Sequence, residues 1–218
     1  MKLIEYILST IAPHECLGCR SEGTPLCPAC CAGLSPVVPR CYRCQRSQSG
    51  FRTCGACRRS TRLFAVQSVT TYDGLAKELV RKIKFERLRM GAEPIADLLA
   101  ALRYEPDEVI AHIPTATSRV RQRGYDQAAL IARGISRRTG LVHASLLARL
   151  GQQRQVGKSR KERKAQMNEL FFVVGNVKNR NIILVDDVVT TGATLEACAS
   201  ALKIAGAKRV SAVVFAAA

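Results

Sequence analysis

The stretch from Ile182 to Thr194, IILVDDVVTTGAT, leaves less freedom to the fold than any other part of this 218-residue chain. A fully apolar strand runs into two adjacent carboxylates at its C-terminal end, and a Thr-Thr-Gly-x-Thr turn then opens a helix. Each feature has a chemical use. Backbone N–H groups of the turn and of the helix N-terminus offer a phosphate site, Gly192 lets the backbone approach closely, and the threonine hydroxyls add donors. Asp186 and Asp187 suit ribose hydroxyls. The bland alternative is a strand end followed by an N-cap, where Asp, Thr and Gly are common. The ordered set of two carboxylates, two threonines and a glycine argues against it.

Elsewhere the chain alternates strand and helix periods. Phe64 to Tyr72 reads as a strand ending at Asp73-Gly74, after which Leu75, Leu79, Val80 and Ile83 recur at helical spacing. A helix is expected from Pro94 to Leu102, a strand from Val109 to Pro114, and a helix within Tyr125 to Arg138. Leu141 to Leu150 fits a strand or a helix, and Gly151 to Lys164, polar and basic, reads as a mobile loop. Strands at Phe171 to Val174, Asn181 to Val188 and Arg209 to Phe215 accompany a helix from Thr194 to Ala205 that ends at Gly206. This alternation predicts an α/β fold with a mostly parallel sheet flanked by helices. The length allows one such domain and a small appendage.

The appendage is marked by cysteine. Nine of the ten cysteines lie between Cys16 and Cys57, so composition divides the chain into residues 1–60 and residues 61–218. Eight fall into C-x-x-C pairs: Cys16 with Cys19, Cys27 with Cys30, Cys41 with Cys44, and Cys54 with Cys57. Cysteines so close in sequence gain little as a disulfide but have metal-ligand spacing, which points to one or two structural zinc ions and a reducing cytoplasm. Spacing favours joining the first pair to the second and the third to the fourth, with an interleaved arrangement left open. Cys31 and Cys198 read as spare. The N-terminal MKLIEYILSTIAP carries Glu5 and reads as an amphipathic helix, and no apolar run has membrane-spanning length, so no membrane insertion is expected.

A formal net charge of +17 should attract polyanions. Arg119, Arg121 and Arg123 alternate on an apparent loop at the C-terminal end of a strand, where open parallel sheets bind ligands. They are candidates for clamping pyrophosphate, against the alternative of a solvated basic loop. Arg154 to Gln166, RQVGKSRKERKAQ, is a second basic stretch with the same alternative. Among the cysteine pairs, Arg40, Arg43, Arg46, Arg52, Arg58 and Arg59 are interleaved with Tyr42 and Phe51. Those two rings could stack on unpaired bases or form the small core of a zinc ribbon.

IILVDDVVTTGAT resembles the signature with which type I phosphoribosyltransferases bind phosphoribosyl pyrophosphate (PRPP). That resemblance implies that Asp186 and Asp187 hold the ribose hydroxyls at the catalytic centre, and that Thr190, Thr191, Gly192, Ala193 and Thr194 cradle the 5′-phosphate. It further implies that Arg119 and Arg123 contact PRPP, that Mg²⁺ accompanies it, and that Arg154 to Gln166 stands where the family has a closing loop. Zinc pairs, Lys84-Phe85, an arginine-rich segment, a basic lid and a terminal PRPP motif follow in the order of the ComF competence family, including its GntX-like members. Arg123 to Gln127 reads RGYDQ where that family usually has RGFNQ, and Gln166 replaces an asparagine.

The ComF resemblance implies a double zinc ribbon joined to a phosphoribosyltransferase domain. It also implies a cytoplasmic role in natural transformation on incoming single-stranded or branched DNA. A DNA-translocating helicase and recombination factors are the implied protein partners. The alternative is an active pentosyltransferase of nucleotide metabolism or salvage. Arg209 to Ala218 leaves little beyond a strand to form an acceptor-binding hood, so an acceptor pocket is expected from the zinc module, the arginine segment or a second subunit.

Overall fold

The computed structural model describes residues 14–150 and 170–218. Among them, six strands form: β1 (Val66–Thr71), β2 (Glu108–His112), β3 (Leu147–Arg149), β4 (Phe171–Val173), β5 (Asn181–Val189) and β6 (Arg209–Ala217). Five helices join them: α1 (Gly74–Phe85), α2 (Ala92–Ala100), α3 (Thr117–Arg123), α4 (Gln127–Thr139) and α5 (Ala193–Ile204). The main sheet has the order β1-β6-β5-β2, and every neighbouring pair is parallel. The α/β architecture expected of the sequence is therefore the one formed.

The apolar run of β5 follows from its place between β6 and β2, with both faces covered. Ile183 and Val185 pack with Leu79 of α1, Ile95 of α2 and Ile135 of α4. Ile182 and Leu184 pack on the opposite face with Leu195, Cys198 and Leu202 of α5. The ambiguous Leu141 to Leu150 is extended. His143 bridges Ile110 in parallel register, with Ile110 N donating to Val142 O at 2.9 Å, and β3 then pairs antiparallel with β4.

The arginine segment differs from expectation. Thr117–Arg123 is the helix α3, closed by Gly124 at φ 87°, whose N–H donates to Val120 O at 2.7 Å. Arginines at every second position looked like a loop, but on a helix Arg119 and Arg123 are four apart and share a face. Asp126, the aspartate of RGYDQ, caps α4 by accepting from Ala129 N at 3.1 Å and also receives Thr115 N at 2.8 Å.

The cysteine-rich segment wraps the edge of the sheet. Its first half contributes Cys16 and Leu26 to the core beneath α1 and α2, and its second half contributes Tyr42 to the core beneath α5. Between the halves, Thr71 N donates to Ser35 O at 3.1 Å, and Thr70 Oγ1 donates to the same oxygen at 2.8 Å. Edge strand β1 is thus covered rather than left open to pairing with another chain. The expected N-terminal helix and the basic stretch Arg154 to Gln166 lie outside the described residues.

Helices α2 and α4 touch at Gly134, where a Cβ would stand 2.5 Å from Ala96 Cβ. Gly134→Ala gains about 1 kcal/mol of helix propensity. The overlap costs more, and a net destabilisation of roughly 1–2 kcal/mol is expected in chemical denaturation.

Candidate functional site

Because side chains alternate along a strand, the two adjacent carboxylates of β5 leave on opposite faces of the sheet. Asp187 follows Ile183 and Val185 toward α1 and α4. It is only 4% exposed, and Lys84 Nζ lies 2.8 Å from its Oδ1. Gln127 Nε2 approaches Oδ2 at 3.5 Å, and Gln127 Oε1 in turn accepts from Arg123 Nη1 at 2.8 Å. Arg123, itself 7% exposed, carries its guanidinium 5.8 Å from the centre of the Phe85 ring. Lys84, Asp187, Gln127 and Arg123 therefore form one connected network, in which buried charges are paired rather than isolated.

Asp186 has a different environment. It is half-buried on the α5 side, and Asp187 N–H donates to its Oδ1 at 2.9 Å. Burial, then the negative charge of Asp187, push its carboxyl up to about 8 from an ordinary 3.8. Beyond it, Thr190 and Thr191 are exposed, and Gly192 turns the chain at φ 71° into the first turn of α5. Thr191 Oγ1 accepts from Ala193 N at 3.3 Å. Asp186, Val188, Val189 and the run Thr190 to Leu195 line an open cleft of about 260 Å³ at the positive end of the α5 dipole.

The structure thus brings Asp186, Thr190, Thr191, Gly192, Ala193 and Thr194 around one cleft. It does not bring Asp187, Arg119 or Arg123 to that lining. Arg119 is exposed on α3, and Arg123 is turned inward onto Gln127. Lys84 and Gln127 carry no pattern that marks them as partners of Asp187. Lys84 is the penultimate residue of one helix and Gln127 the first of another, and only the parallel sheet order brings them together.

Eight cysteines form two clusters, Cys16, Cys19, Cys27 and Cys30, and Cys41, Cys44, Cys54 and Cys57, with all four sulfurs of each cluster within 4.8 Å. Cys19 Sγ and Cys27 Sγ are 3.6 Å apart, as are Cys44 Sγ and Cys54 Sγ. Thiolates held ~2.3 Å from a zinc ion at tetrahedral corners stand about 3.8 Å apart, so the donor sets fit that ion. Burial pushes the Cys16 and Cys41 thiols up, but neighbouring backbone N–H groups outweigh it and bring both down to about 6. A bound ion would cross-link each ribbon, whose own apolar core is very small.

The second ribbon meets the turn that opens α5 directly. Tyr42 is 9% exposed, and its hydroxyl donates to Glu196 Oε2 of α5 at 2.6 Å. Its ring is therefore committed to the interior and is not free to stack on bases. Phe51 is half-buried beside it in a second cleft that also includes Arg40, Ser68 and Thr190.

Residues 74–218 match the family model for the phosphoribosyl transferase domain. Competence protein ComFC of Bacillus subtilis (strain 168) is 33% identical over 194 residues, covering 81% of this chain and 77% of that protein. The chain belongs to the ComFC family. Another ComFC protein, from Streptococcus pneumoniae (strain ATCC BAA-255 / R6), is 27% identical over 145 residues, covering 66% of this chain and 64% of its own. Among solved structures, the allosteric regulatory enzyme of purine biosynthesis aligns with a TM-score of 0.48 at 20% identity, over 62% of this chain and 30% of that enzyme.

In this ComFC-family chain, Asp186 is expected to make stability depend on pH. A carboxyl raised from 3.8 to about 8 lets the folded state keep a proton that the unfolded chain releases, so stability falls as pH rises through that window. Asp186→Asn is expected to remove this dependence. The variant should exceed the wild type in denaturant midpoint at about pH 8, with the gap shrinking toward about pH 5.

Proposed function

We propose that this chain binds PRPP at the cleft formed by Asp186 and Thr190 to Thr194, with PRPP arriving as its Mg²⁺ complex, and that it serves natural transformation. The observation that supports this most directly is the junction of a parallel strand carrying Asp186 with a threonine-rich turn at a helix N-terminus. Backbone N–H groups and the hydroxyls of Thr190, Thr191 and Thr194 suit the 5′-phosphate, and the Asp186 carboxylate suits ribose hydroxyls. On this proposal Asp187, held by Lys84 and Gln127, completes the ribose site, and Arg119 and Arg123 are the residues offered to pyrophosphate. We further propose that residues 1–60 act as a zinc-holding module, that residues 61–218 form the PRPP-binding domain, and that the protein works in the cytoplasm. Among the described residues, no helix is long and apolar enough to cross a membrane.

The role in transformation rests on the relatives named competence proteins, and the DNA reading rests on charge. Arg40, Arg43, Arg46, Arg52, Arg58 and Arg59 are all exposed on the second ribbon. Arg52, Arg58 and Arg209 surround the Phe64 ring at 5.6, 4.5 and 5.4 Å, which holds three guanidinium groups in one patch. Single-stranded or branched DNA is the polyanion this surface would meet, alongside a DNA-translocating helicase and recombination factors.

One observation favours a second reading, an active phosphoribosyltransferase. The cleft of about 390 Å³ between the second ribbon and β1 shares Val189 and Thr190 with the phosphate cleft, and Arg40, Gln45 and Ser68 give it polar groups. An acceptor seated there could form a bond to C1 of the ribose as the bond from C1 to pyrophosphate breaks. A lid excluding water would suppress the competing hydrolysis. Pyrophosphate release measured against a panel of bases separates this reading from binding alone.

PRPP with Mg²⁺ is expected to raise the melting temperature of the wild type, and Asp186→Ala with Asp187→Ala to abolish the rise. An unchanged rise in the double variant would remove these aspartates from the site. Affinity for single-stranded DNA should fall steeply with salt and survive the aspartate substitutions. A flat salt titration would count against DNA binding.

A further inference from the structure

The contact between the second ribbon and the phosphate loop has more detail than packing alone requires. Tyr42 lies between Cys41 and Cys44, so its position is set by the cluster those cysteines join. Its ring lies against Gly192, where a Cβ would come within 2.9 Å of ring atoms Cδ2 and Cε2. Gly192 is thus required twice, for its φ of 71° and for the space the ring occupies. The Tyr42 hydroxyl donates to Glu196 Oε2 at 2.6 Å, and Arg62 N–H donates to Oε1 of the same carboxylate. Both oxygens are therefore held from the ribbon side.

Glu196 lies in the first turn of α5, and its N–H donates to Gly192 O at 2.9 Å. A carboxylate there competes with a bound phosphate for the positive end of the helix. Fastened to Tyr42 and Arg62, it stays off the lining of the phosphate cleft. We infer that Tyr42 and Glu196 are positioning residues of the phosphate loop, which makes the second four-cysteine ribbon part of the ligand site. This rests on the reading of that loop as a phosphate cradle for PRPP. A metal ion held by Cys41, Cys44, Cys54 and Cys57 would then act on ligand affinity through Tyr42, without touching the ligand.

The test uses the zinc-loaded full chain, with PRPP and Mg²⁺ titrated by calorimetry and amide hydrogen exchange followed at Gly192 to Thr194 without ligand. Tyr42→Phe keeps the ring and removes the hydroxyl. Glu196→Gln removes the charge and leaves one acceptor oxygen where the carboxylate offered two. Both are expected to bind PRPP roughly tenfold more weakly and to exchange those amides faster. Tyr104→Phe is the control, since its hydroxyl bonds Leu99 O at 2.8 Å away from the cleft and its loss should leave affinity unchanged.

Wild-type exchange rates in Tyr42→Phe would overturn the inference whatever PRPP does. Tighter binding by Glu196→Gln would overturn it too, by showing the carboxylate acting as a repelling charge. Failure of the wild type to bind PRPP, with loop exchange still faster in Tyr42→Phe, would overturn the PRPP reading alone and leave the ribbon-to-loop coupling standing.

Discussion

The arrangement depends on one constraint: β5 must be buried on both faces between β6 and β2. Such a strand cannot keep two consecutive acids on one side, because the pleat sends them to opposite faces. Each face then deals with its carboxylate separately. On the α1 and α4 side, Asp187 is neutralised by Lys84 and oriented by Gln127. On the α5 side, burial and the negative charge of Asp187 raise the proton affinity of Asp186. Two identical residues in sequence thus take different places, one ion-paired with Lys84 and the other in the lining of the cleft.

The ribbons solve the other general problem of a parallel sheet, its exposed edge. A cysteine-rich segment of some forty residues cannot bury enough apolar surface to be stable alone, so cross-linking through a metal is the ordinary remedy. Here the two halves also use the domain as a core, one on each face of the sheet, with Ser35 and Pro36 crossing over β1. The first half reaches α1 through Gly18, where a Cβ would stand 3.0 Å from the Leu75 side chain. The second reaches α5 through Tyr42. Separation of the modules by composition is therefore not separation in space.

Strands and helices with clean periods were legible in the sequence, β5 and α5 above all, and the cysteine clusters followed from C-x-x-C spacing. Other features were not, for identifiable reasons. Arg119, Arg121 and Arg123 looked like a loop because a short polar helix has no apolar stripe to announce it. Leu141 to Leu150 stayed ambiguous because it holds a single bridge and a three-residue strand, too short for a period to show. Tyr42 read as a ribbon core residue or a base stacker, and it is a contact between modules, since nothing local to it encodes Gly192 or Glu196, about 150 residues away. Lys84 and Gln127 stood out only as parts of the family order, and nothing local to them encodes their pairing with Asp187.

The division of labour between the carboxylates bears on how a ligand would be received. Asp187 is already engaged at both oxygens, so a ribose hydroxyl reaching it would have to share or displace Lys84 or Gln127. Asp186 keeps acceptor capacity, but burial and the charge of Asp187 make it hold a proton more tightly than an ordinary carboxyl. A hydroxyl donating to the ionised form would lower its proton affinity, so binding and deprotonation would proceed together. On the proposed reading, affinity for the sugar then depends less on adding contacts than on releasing that proton. The helix end and its threonines would hold the phosphate through groups that do not titrate in this range.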